Sequence, residues 1–155
     1  MTDVEPPAVV AGEKQTLVAY LRYLREAVIR KVEGLPDVEA RRPAVVSGTS
    51  PLGLIKHLTG AELVWLEWAF LGLDPMPELG MEVSATDTVE GCVAEYRKAG
   101  KCADAILASL DDLDAVSVRE GRTLRWILVH LVEELARHAG HLDILRELFD
   151  GSAGR

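Results

Sequence analysis

The sequence predicts an all-α protein, a four-helix bundle, and three observations carry that expectation. Four segments repeat apolar residues at steps of three and four, none alternates convincingly as a strand, and helix-starting or helix-stopping residues bound the segments. The 155 residues, 48% of them apolar, are enough for one domain, expected over residues 1–155, to bury a continuous core without staples.

The first helix is expected from about Glu13 to Glu33, with Leu17, Leu21, Leu24, Val28 and Val32 on one face and Gly34-Leu35-Pro36 ending it. A loop containing Arg41-Arg42-Pro43 and Ser47-Gly48-Thr49 follows. Ser50 as N-cap and Pro51 at the first helical position, where its missing N–H costs nothing, start the second helix. That helix should run to about Leu71 and stop at Gly72. The third begins near Thr86 or Asp87, with Asp87 and Glu90 at the positive end of the macrodipole. Val89, Val93, Tyr96, Ala103, Leu107 and Leu110 form its apolar face. Thr123 caps the fourth helix, which ends at Asp150-Gly151. No amphipathic helix hides its stripe alone, so the four are expected to pack together. The first two connections are longer than a tight antiparallel turn, which argues for a topology other than simple up-and-down.

Charge and composition exclude several functions. With 25 acids against 17 bases and a net charge of -8, the chain lacks the clustered cations that nucleic acid demands. The greasiest stretch, Leu63 to Leu73, is too short for a bilayer and is interrupted by Glu67, so no membrane partner is expected. The start, Met1 to Pro7, is acidic where a secretory signal is basic; a cytoplasmic location is expected. Cys92 and Cys102, ten residues apart in one helix and therefore about 15 Å apart, do not pair, and both are expected as small core residues. There is no His-Glu-x-x-His, Gly-x-Ser-x-Gly, phosphate loop or Cys-x-x-Cys.

The polar residues that fall on apolar faces are the informative ones. At 100° per residue, His57 lies within the arc of Leu54, Leu58, Ala61, Val64, Trp65 and Trp68, while Lys56, Thr59, Glu62 and Glu67 take the remainder. In the fourth helix Glu134 and His138 share the sector of Ile127, Leu131 and Leu145, with Glu133, Arg137 and Asp143 opposite. A carboxylate and two imidazoles at the edge of a core need partners, and a divalent cation satisfies all three. Three protein ligands also leave a coordination position open, which permits chemistry. The alternatives are a core histidine bonded to backbone for His57 and an ordinary side-chain pair for Glu134 and His138. His138 with His141, at i and i+3, is another possible chelating pair, and His141 is the first substitute for Glu134. His130 and His141 otherwise belong behind the ligands or at the rim, orienting a ligand or accepting a proton. Trp65 and Trp68 are expected to pack rather than to stack a ligand. Arg41, Arg42, Arg122 and Arg125 are expected at the solvated surface, with an acidic substrate as the alternative.

Ser47-Gly48-Thr49-Ser50-Pro51-Leu52-Gly53-Leu54-Ile55-Lys56-His57-Leu58, followed by Glu62 and Trp65, resembles the second-helix signature of the DinB-like (YfiT-like) bundle superfamily. The stretch from Thr123 to Glu147, containing His130, Glu134, His138 and His141, resembles its last-helix signature. The resemblance implies a four-helix bundle holding a divalent metal through His57, Glu134 and His138, zinc in many members and nickel in some. Glutamate at position 134, where many members have histidine, is similar to the mycothiol-dependent branch with its S-transferases and maleylpyruvate isomerase. Homodimers are common there. The isomerase carries a further carboxy-terminal domain, so maleylpyruvate isomerisation is not expected. The implied activity is a metal-dependent thiol S-transferase that joins a low-molecular-weight thiol, mycothiol, to an electrophile. The rival expectation is a non-catalytic metal- or ligand-binding bundle in stress response or regulation.

Overall fold

A computed structural model describes residues 4–9 and 11–153; Met1, Thr2 and Asp3 of the acidic amino-terminal stretch lie outside the described residues. The chain forms α1 (Glu13–Val32), α2 (Asp37–Ala40), α3 (Pro51–Leu63), a π-helical continuation of α3 (Val64–Phe70), α4 (Val89–Ala108) and α5 (Leu124–Asp150). Side-chain caps start three of the helices. Ser50 Oγ accepts from the Gly53 N–H at 3.1 Å, Thr88 Oγ1 from Gly91 at 3.1 Å and Thr123 Oγ1 from Trp126 at 3.2 Å. Gly151, at φ 74°, closes α5.

Three differences from the sequence expectation have physical causes. The third long helix begins at Val89 because Asp87 spends its carboxylate on the preceding turn, accepting from the Ser84 N–H and from Lys56, both at 2.7 Å. The second long helix widens after Leu63 instead of continuing as α to Leu71. Its last carbonyls are taken by a distant segment: Ala69 and Phe70 accept from the N–H groups of Arg119 and Val118 at 2.9 and 3.1 Å, and the Arg119 guanidinium donates to Trp68 O at 2.7 Å. The short α2, within the loop after α1, carried no periodic signal at four residues.

Pairs of contacting residues give the helix directions. Glu13 meets Arg125 and Lys31 meets Asp143, so α1 and α5 run parallel. Trp65 meets Trp126 while His57 meets Glu134, so α3 and α5 run antiparallel. Arg22 meets Asp104 and Glu33 meets Arg97, so α1 and α4 are antiparallel. The order is up-down-down-up around the ring α1, α5, α3, α4, in which the first and second long helices face each other mainly across the diagonal. That is why both early connections are long. Leu21, Val28, Leu54, Leu58, Leu128 and Leu131, all fully buried, fill the centre.

Glu62 overturns its sequence assignment to the polar side: it is 0% exposed. Its carboxylate accepts from Arg25 Nε at 3.0 and 2.8 Å, and Arg25 Nη1 reaches Asp104 at 2.6 Å. Burial raises the Glu62 carboxyl above the usual carboxylate range, opposed by the Arg25 charge. Helical periodicity locates an apolar stripe but is blind to a cation arriving from another helix. Cys102 is a second correction, being exposed, while Cys92 is buried and both thiols are free. Among the described residues no helix is long and apolar enough to cross a membrane.

Candidate metal centre

α3 and α5 pack antiparallel with His57 facing the middle of α5, where Glu134 and His138 stand one turn apart. His57 Nδ1 lies 2.7 Å from the Leu79 carbonyl oxygen, so Nδ1–H donates there and the Nε2 lone pair is left free. That Nε2 lies 3.9 Å from Glu134 Oε2, and His138 Nε2 lies 3.2 Å from the same oxygen. The two imidazoles meet edge to face, with centroids 5.1 Å apart. The far nitrogen of His138, Nδ1, is 3.2 Å from His141 Nδ1, hydrogen-bond distance when one of the two nitrogens carries the proton. Side-chain exposures of 20% for His57, 23% for Glu134 and 11% for His138 leave the cluster reachable from solvent.

The donor set fits a cation. Glu134 Oε2 is buried and has no hydrogen-bond partner, although two ring nitrogens face it. An orphaned carboxylate oxygen in that position is costly unless a positive charge accompanies it. Two ligand atoms each about 2.1 Å from a tetrahedral zinc ion stand about 3.4 Å apart, and the observed 3.2 and 3.9 Å bracket that spacing. Burial pushes the His138 imidazole below its ordinary range against the pull of Glu134, with the neighbouring His57 and His141 adding to the fall. The ring is thereby kept in the neutral form a metal requires.

One stripe of α5, at every fourth residue, carries Trp126, His130, Glu134 and His138, and Arg122 stands two residues before the helix begins. Trp126 has Arg122 over its ring at 4.8 Å, one turn before it, and His130 stacked at 5.0 Å, one turn after it. Trp65, on the π-helical segment, closes on Trp126 and His130 at 5.2 and 5.0 Å. The Trp65 ring is thus packed, and Trp68 lies under the Arg119 guanidinium at 4.9 Å. A second group, His130 with Glu133 and Glu134, also lies close together. There Nδ1 of His130 faces Glu133 at 3.8 Å and Nε2 faces Glu134 at 4.0 Å, and Arg137 already pairs with Glu133. His141 lies on the far side of His138 and borders a cavity of about 180 Å³ with Ser47, Thr49 and Ile144.

The remaining candidates serve the scaffold. Arg41 donates to the carbonyls of Ser84 and Asp87, Arg42 covers the Phe149 ring at 5.1 Å, and Arg125 pairs with Glu13 and Asp114. Sequence reasoning missed Leu79, whose contribution is a backbone carbonyl and so carries no residue-type signal.

An up-down-down-up bundle with an imidazole–carboxylate–imidazole cluster between its second and fourth long helices defines the class: a DinB-like bundle. The sequence pattern of the mycothiol S-transferase family matches residues 16–151, and the chain belongs to that family. No curated protein matches the chain.

Proposed function

We propose that this protein is a metal-dependent S-transferase that joins mycothiol to a small electrophile, with His57, Glu134 and His138 holding one divalent cation. The observation that carries the reading is the buried, unpartnered Glu134 Oε2 facing two imidazole nitrogens, in a chain of this family. The N/N/O donor set suits zinc, and nickel is the second choice. When bound, such an ion would lower the pKa of an incoming thiol and favour the thiolate at neutral pH.

The chain's own residues supply orientation and proton handling. The Leu79 carbonyl holds the proton of His57 on Nδ1, and His141 Nδ1 receives the proton of His138 Nδ1, so both ligands present Nε2. His141 then carries its own proton on Nε2. Of His130 and His141, both expected to orient a ligand or accept a proton, the geometry favours His130 as the acceptor: its Nε2 stands 4.0 Å from Glu134 Oε1 and carries no hydrogen bond among the described residues. The thiol proton passes to His130, the sulfur forms its bond to the electrophilic carbon, and the leaving group departs with the displaced electron pair. We further propose that residues 1–155 act as one domain, as a homodimer, in the cytoplasm where such thiols are made.

Elemental analysis of tag-free protein tests the centre. About one zinc or nickel per wild-type chain, falling to near zero in His57→Ala, Glu134→Ala and His138→Ala, is expected. Equal traces in all four samples overturn the metal reading. Metal uptake without any conjugation of mycothiol across a panel of electrophiles supports the non-catalytic binding bundle instead.

A further inference from the structure

The segment from Asp74 to Val83 crosses the outer side of α3 as a strap. Its two ends are fastened: Arg119 holds Leu73 O at 3.3 Å and the Asp74 carboxylate at 3.1 Å, and Arg41 holds Ser84 O at 2.8 Å. Between those ends, among the described residues, no backbone group of the strap pairs with another backbone group. One polar bond ties the middle down, the 2.7 Å contact of Leu79 O with His57 Nδ1.

The strap reaches His57 because α3 has no side chain in its way. Gly53, His57 and Gly60 follow one another along the same face, at steps of four and three. A Cβ at Gly60 would stand 1.8 Å from Glu78 O, and a Cβ at Gly53 would stand 2.8 Å from Met81 O. Both collisions are with strap backbone, which cannot step aside as a flexible side chain can. The strap also borders a cleft of about 550 Å³ that it shares with Thr59 and Gly60 of α3 and Cys92 and Glu95 of α4, so there is space for it to be displaced.

We propose that Gly60, assisted by Gly53, is a positioning residue for the metal centre: the glycine notch seats the strap, and the seated Leu79 carbonyl fixes His57 in the Nδ1–H tautomer with Nε2 aimed at Glu134. The inference rests on His57 being a ligand, as proposed above, yet its tautomer can be read without any ion. Coupling runs both ways. A ligand imidazole is a stronger donor through its other nitrogen, so an ion at Nε2 tightens the strap as much as the strap favours the ion.

Two measurements on the full chain test this, with Gly60→Ala, Gly53→Ala and, as control, Gly140→Ala, whose added Cβ meets nothing within 4 Å. The first is the ¹⁵N spectrum of the imidazoles in metal-free protein, at a pH where the rings are neutral. Wild type and Gly140→Ala should show His57 as the Nδ1–H form, and Gly60→Ala should show a tautomer mixture. The second is zinc affinity by competition with a chromogenic chelator, expected to fall about 10- to 100-fold in Gly60→Ala, less in Gly53→Ala and not in the control. General destabilisation would lower the melting temperature without redistributing the His57 proton. A folded Gly60→Ala protein with wild-type tautomer and zinc affinity overturns the proposal. Should that variant not fold, Gly53→Ala decides by the same two readouts. A tautomer shift in a protein whose wild type takes up no zinc upholds the positioning role and removes the ligand reading alone.

Discussion

His141 shows how one exposed side chain can act through a neighbour. With Nδ1 3.2 Å from His138 Nδ1, it is placed to accept the proton there, which in the proposed centre leaves Nε2 of His138 free. His141→Ala is expected to weaken zinc binding about 10-fold by the loss of that partner. The same change should alter unfolding free energy by no more than about 0.5 kcal/mol, since the ring sits at the surface. Chelator competition and urea titration of the same sample separate the two effects. An unchanged zinc affinity would leave His138 oriented by its own packing. At this scale the sequence disclosed the residue types and their angular sectors on each helix. Whether a nitrogen points to a carbonyl, a carboxylate or another imidazole was not legible, because a 100° step gives direction to within a sector and no distance.

At the scale of an element, Asp87 fastens the start of α4 to both the strap and α3. The Lys56 ammonium, followed by the Ser84 N–H, holds its carboxyl below the usual carboxylate range. A folded-state value below the unfolded one contributes stability above the ordinary carboxylate range, and that contribution is lost as pH falls through the folded value. Melting temperature measured against pH should therefore decline less steeply on the acid side for Asp87→Asn than for wild type, the two curves approaching at low pH. Parallel curves would place the acid sensitivity elsewhere. The caps at Ser50 and Thr123 were legible in advance because capping chemistry is local. The switch from α to π geometry after Leu63 was not, since it depends on the 118–119 backbone and Arg119, which arrive from more than 45 residues away.

Across the whole molecule, the Arg25–Glu62–Asp104 network ties α1, α3 and α4 together on the side away from His57. Removing one member of a buried ion pair strands the other, at a cost of about 3–5 kcal/mol. Glu62→Ala should lose stability of that order in urea unfolding. Its folded fraction should still take up zinc with wild-type affinity, because the network touches none of the three proposed ligands. A loss of affinity would mean that the two halves of the bundle are coupled through α3.

The sequence by itself determined the helical class, the positions of four long amphipathic segments and the presence of His57, Glu134 and His138 on inward sectors, because periodicity and capping are properties of neighbouring residues. Tertiary structure alone decided the up-down-down-up order, the burial of Glu62 and the carbonyl that orients His57. Each of those depends on groups far apart in the chain meeting at hydrogen-bond distance, and no local pattern encodes such a meeting.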